Sequence, residues 1–257
     1  MKRLLALALL VVLFLPAPAS AAFSVVNKAS GAFTGASTGV TTGAVNMSGA
    51  DFLVMVIAWY AGGTEPVPSD SSSNTWHALT SQQSGTGDNN TRIYYAWNAT
   101  SSAAQTFTLS AVTNGYASFC VAGFSGSQTS STPFDAQNGS TSNPSNVTSL
   151  MTRSTGVLAQ ATELVVTGLG LGSGSLDSTE TADSGFTTYQ TQAGASGAAF
   201  GTGLAYKIKN ATTAENVTWS WPTTTDASAV IASFESATGG GGGGGTLHTL
   251  ATTGVGQ

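Results

Sequence analysis

Asp51-Phe-Leu-Val-Met-Val-Ile-Ala-Trp-Tyr60 decides the fold: an acidic residue opens a long, uninterrupted apolar strand. The same opening returns 112 positions later in Glu163-Leu-Val-Val-Thr-Gly-Leu-Gly-Leu-Gly172. Three more blocks follow each copy in the same order. Arg92-Ile-Tyr-Tyr-Ala-Trp-Asn-Ala-Thr100 matches Leu204-Ala-Tyr-Lys-Ile-Lys-Asn-Ala-Thr212, Gln105–Ser110 matches Glu215–Ser220, and Ser118–Phe124 matches Ser228–Phe234. Four collinear pairs, whose offsets drift by two residues, point to an internal duplication with a unit of about 110 residues. That unit is domain-sized and far longer than a solenoid or propeller repeat.

Around these blocks the pattern is strand, turn, strand. In the first half, apolar or alternating runs lie near residues 40–47, 51–60, 75–80, 91–97, 105–112 and 116–124. Turn-forming clusters such as Asp70-Ser-Ser-Ser-Asn74 and Ser84-Gly-Thr-Gly-Asp-Asn-Asn90 separate them. No sustained helical period follows the N-terminal segment. Short strands at this spacing predict an all-β chain, an antiparallel β-sandwich or jelly roll. The expected organisation is 1–22, a signal peptide; 23–130, the first half; 131–237, the second half; and 238–257, a Gly-rich linker and tail. Two tandem sandwiches and one pseudo-symmetric double unit both fit. The short join between residues 126 and 134 favours the double unit, which at about 210 residues is within the range of one all-β domain.

Alternation assigns faces. Phe107, Leu109 and Ala111 correspond to Val217, Trp219 and Trp221 and read as core, with the intervening Thr, Ser and Asn residues in water. In the aromatic strand, Tyr94 and Ala96 align with Tyr206 and Ile208 and read as the inward row. The other row is Ile93, Tyr95 and Trp97 against Ala205, Lys207 and Lys209. Lysines in strands normally face solvent. Tyr95 and Trp97 are therefore candidates for an exposed aromatic surface that stacks on a sugar or a partner protein. Cover by a loop or by the other half is the alternative.

The ends and the composition set the compartment. Lys2 and Arg3, the apolar run Leu4–Leu15, Pro16 and Pro18, and Ala19-Ser20-Ala21-Ala22 follow the order of a secretory signal cleaved after Ala21 or Ala22. No later stretch is long and apolar enough for a membrane span. Lys28, Arg92, Arg153, Lys207 and Lys209 are the basic residues left after cleavage, against twelve carboxylates, so the net charge is 5 − 12 = −7. Five scattered cations cannot make a phosphate-neutralising stripe, which argues against nucleic acid, and against anionic lipid for the same reason. Cys120 is the one cysteine, so the fold has no intrachain disulfide, and its apolar surroundings read as core. Seven glycines, Gly239–Gly245, read as a flexible tether spanning about 15 Å on average.

Catalytic chemistry is hard to find. His77 is the one histidine in the folded region, and no His or Cys stands at metal-ligand spacing from it. Nothing near it resembles a nucleophile elbow. The alternating acids of β-sandwich glucanases do not occur. The densest acidic group, Asp177, Glu180 and Asp183, is a candidate Ca²⁺ site through hard oxygen ligands, or a merely solvated loop. No other cofactor is implied.

Each half resembles the secreted β-sandwich modules of bacteria and their phages, in the strands Asp51–Tyr60, Arg92–Trp97 and Phe119–Gly126. The resemblance covers residues 23–236 and implies a concanavalin-like or immunoglobulin-like sandwich linked to surfaces, adhesion or virion exteriors. It transfers no catalytic residue. The expectation is a non-enzymatic extracellular module that binds a glycan or a surface protein, or serves structural display on a cell or phage particle. The alternative is a carbohydrate-active hydrolase using the loop carboxylates.

Overall fold

The apolar run after Asp51 is a central strand, covered on both faces. The structure, a computed structural model, describes residues 22–33, 39–85, 87–112, 116–172, 179–194 and 200–237. The expected signal segment up to residue 21 and the tail from residue 238 lie outside the described residues. The first half contains β1 (Ser24–Ala32), β2 (Val40–Thr41), β3 (Phe52–Tyr60), β4 (Pro68–Asp70), β5 (His77–Ala78), β6 (Gln82–Gln83), β7 (Asn89–Trp97), β8 (Phe107–Leu109) and β9 (Ala117–Ser125). The second contains β10 (Phe134–Gly139), β11 (Val147–Met151), β12 (Glu163–Gly172), β13 (Thr181–Ala182), β14 (Thr187–Gln192), β15 (Gly201–Ile208) and β16 (Thr218–Glu235). The described residues are all-β, in antiparallel sheets packed as sandwiches.

The large sheet of the first half runs β1-β9-β3-β7-β5, with β6 also on β7; a small sheet, β2-β8-β4, covers its outer face. The second half orders its large sheet β10-β16-β12-β15-β14. Here β16 spans eighteen residues and serves both layers. Its beginning pairs with β11 and β13 to cover the outer face, and its end pairs with β10 and β12. The two halves thus share one strand order.

The large sheets face each other, β1 against β14, β9 against β15, β3 against β12, and β7 against β16. Between them lies a shared core to which the first half gives Phe52, Val54, Val56, Ile93, Tyr95 and Phe124, and the second Leu164, Val166, Leu204 and Phe234. A separate core fills the space under each small sheet. This explains the unbroken apolar reading of Phe52–Trp59: a strand buried on both faces has no solvent side to make it alternate.

Two features set how the large sheets sit together. Glycine at 168 and 170 in β12 lets them approach. A Cβ at Gly168 would lie 2.4 Å from Val56 Cγ1, and one at Gly170 1.9 Å from Thr91 Oγ1. Two hydroxyl pairs then cross the apolar interface, Ser118 to Thr202 at 2.6 Å and Thr91 to Ser228 at 2.7 Å. Sliding one sheet over the other would strand these groups, and each unsatisfied buried hydroxyl costs about 1–3 kcal/mol. The pairs therefore fix the register.

Candidate functional site

Tyr95 and Trp97 do not form an exposed row. Tyr95 is buried in the shared core, with the rings of His77 and Phe134 stacked against it at 5.2 and 6.2 Å. Trp97 is half-buried against the same core. The expected exposed face is the face that the other half covers. The reason is a one-residue slip, which exchanges every side chain between the two faces of a strand. Tyr95 pairs with Val54, and Tyr206 pairs with Val166. Val54 and Val166 are 112 positions apart, but Tyr95 and Tyr206 only 111. Aligning the aromatic strands at 112 therefore matched opposite faces. The lysines mislead as well. Lys209 is buried, its ammonium bonded to Glu215 and, at 3.0 Å, to Thr213, while Lys207 reaches Glu215 at 2.9 Å.

The acidic trio is not brought together as a site. Asp177 lies outside the described residues. Asp183 is exposed and caps a turn, its carboxylate accepting the Thr218 N–H at 2.7 Å and the Ser184 hydroxyl at 2.9 Å. Partial burial pulls its pKa up, but these hydrogen bonds outweigh that and hold it below the usual carboxylate value. Glu180 is buried, at the wall of a cleft described below. Among the described residues, no group of three His, Cys, Asp or Glu is placed to hold a metal. His77 is exposed on β5 against Tyr95.

The surface concavities that matter lie where the two large sheets part at their lateral edges. Along β1 and β14 runs a cleft of about 390 Å³, lined by Lys28, Glu180, Thr188, Tyr189, Gln190 and Thr191. A bulge in β14 falls at Tyr189, between the paired Thr188 and Gln190. Lys28 places its ammonium 4.6 Å from the centre of the Tyr189 ring and donates to the Tyr189 carbonyl. Tyr206 meets that ring edge-on at 5.3 Å. Burial first, then the Tyr206 hydroxyl, raise the Tyr189 phenol pKa, so it stays a neutral donor. Gln190 Nε2 bridges the sheets to Ser30 Oγ at 3.0 Å.

At the opposite edge, between β6 and β10, a cleft of about 270 Å³ is lined by Thr80, Gln82, Gln137, Asn138 and Gly139. Gln137 accepts the Thr80 N–H at 2.8 Å and donates to the Thr80 hydroxyl at 3.1 Å. Gly139 leaves room for Gln82, whose Cδ would stand 2.0 Å from a Cβ there. Both clefts therefore present amides and hydroxyls at the seam between the halves. Such groups match the donors and acceptors of a polyhydroxylated ligand or an extended peptide. These residues escape sequence reasoning because each cleft joins strands more than fifty positions apart. The one readable clue is Lys28, a cation inside an otherwise neutral strand.

Comparison with protein-family models, curated proteins and solved structures finds no match to this chain.

Proposed function

We propose that this protein is a secreted, non-enzymatic surface module that binds a glycan or a surface protein along its sheet edges, on a cell or a phage particle. The observation that carries the reading is the pair of clefts at the seam, lined by Gln, Asn, Thr and Tyr side chains held by bonds across the sheets. Display outside the cell rests on the N-terminal order of basic residues, apolar run and small residues. The shared strand order of the halves supports their origin by duplication.

A glycan array and a hydrolysis screen on the same preparation test the reading. Binding without turnover is expected, with Gln190→Ala or Gln137→Ala weakening it about five- to tenfold, the equivalent of one lost net hydrogen bond. Released reducing sugar that persists in both variants would favour a hydrolase instead.

A further inference from the structure

The start of the second half carries a group of carboxyls at the root of β10, β12 and β16. In the first half the equivalent position is quiet. Asp51, just before β3, accepts the N–H groups of Gly126 and Ser127 at 2.9 and 3.1 Å, so both its oxygens are satisfied. Glu163, at the start of β12, has no such cradle. It is fully buried, its Oε1 accepts the Gln160 N–H at 2.9 Å, and its Oε2 makes no hydrogen bond of good geometry, with the Ser233 hydroxyl and the Asp135 carboxyl beside the group. Glu235 on β16 stands directly opposite it in register.

The third acid comes from a bulge. In β1 the extra residue is Val26, between the paired Val25 and Asn27; in β10 it is Asp135, between Phe134 and Ala136. The bulge thus turns a carboxyl towards Glu163 where the first half has an apolar side chain. Asp135 is held there by the Ser233 hydroxyl at 3.0 Å and the Ala159 N–H at 3.4 Å. Lys209 donates its backbone N–H to the Glu163 carbonyl, but its ammonium is engaged by Glu215 and Thr213.

We propose that Glu163, Asp135 and Glu235 form a proton-operated latch that ties β10 to β12 and β16 while Glu163 is protonated and loosens when it ionises. A neutral Glu163 carboxyl has a proton to give to the neighbouring Asp135 carboxylate. An ionised one is a buried charge beside two others of the same sign. Burial is the largest cause and, with the Asp135 charge, outweighs the opposing Gln160 N–H and Ser233 hydroxyl to push the Glu163 pKa up to about 7; burial and the Asp135 charge also raise that of Glu235. The latch sits where the join between the halves crosses the end of β16: Glu235 N–H donates to Pro133 at 2.7 Å, and Gln128 N–H to Glu235 at 3.0 Å. Its opening would loosen the strand that bears Gln137 and Asn138.

The sign follows from linkage. The folded-state pKa lies above the unfolded value of 4.5, so the stabilisation is complete below that value and is lost as pH rises through about 7. The full chain should melt on the order of 5 °C lower at pH 8 than at pH 5.5. Glu163→Gln mimics the protonated acid and should flatten that dependence, melting above the parent at pH 8. Amide protection factors over residues 134–139 should fall with pH in the parent and stay level in the variant. If Glu163→Gln does not fold, Asp135→Asn, which removes the facing charge, should shrink the pH dependence. Melting of the parent that is level between pH 5.5 and 8, or an equal slope in the folded variants, would overturn the latch.

Discussion

Trp219 and Trp97 show how much one position in a strand decides. Trp219 is wholly buried, and its indole N–H donates to Thr167 Oγ1 at 2.9 Å. Replacing it with Ala empties a large volume and removes the donor to that hydroxyl, which keeps its own bond to the Val230 carbonyl at 2.9 Å, so the cavity sets the cost at about 3–5 kcal/mol. Trp97 stands at the mouth of the shared core, half-buried, so Trp97→Ala should cost only about 1–2 kcal/mol. Urea unfolding of both variants checks the ranking, and equal losses would contradict it. Burial of Trp219 and Trp221 was legible, because Val217-x-Trp219-x-Trp221 alternates against polar neighbours. Tyr95 was not, because β7 is apolar on both faces from Ile93 to Ala96, and alternation then says nothing about which face is which. Only the pairing partner of each residue resolves it.

Among the elements, β12 has the least room for change. Its glycines alternate at 168, 170 and 172, and the first two face the opposite sheet closely. Gly168→Ala should cost about 1–3 kcal/mol, since Val56 has no flexible end with which to yield. Gly170→Val should do worse, because it also displaces Thr91 from Ser228. Gly43→Ala, where a Cβ would meet nothing within 4 Å, is the control and should be neutral or slightly stabilising. Thermal melts give the order, and a harmless Gly168→Ala would mean that the sheets can separate without penalty. The existence of β3, β7, β9, β12 and β15 was readable from their apolar runs, whereas β16 read as two separate blocks, Glu215–Ser220 and Ser228–Phe234, which the structure joins in one strand. Alternating glycines in a buried strand also mark close backbone approach, yet that mark shows what the strand needs and not which partner meets it. The clefts have the same difficulty: Lys28 and Tyr189 meet only because β1 of one half crosses β14 of the other.

At the scale of the whole molecule, each half has an inner core of its own and one apolar face that only the other half covers. A chain of residues 23–130 keeps the core under its small sheet but exposes Phe52, Val54, Val56, Ile93, Tyr95 and Phe124 on a single surface. It also leaves Thr91 and Ser118 without their partners Ser228 and Thr202. A patch of that kind is far more than a soluble monomer tolerates, so this chain should aggregate or melt well below the intact protein. Cys120 reports the event directly. In the intact protein its thiol lies in the shared core and donates to the Thr202 carbonyl at 3.3 Å, and burial pushes its pKa well up. A maleimide should therefore label it only as fast as the protein opens, and at once in the isolated half, where the covering sheet is gone. Slow labelling combined with cooperative unfolding of residues 23–130 would mean that the half closes over its own inner face, and that the shared core is not what holds it folded.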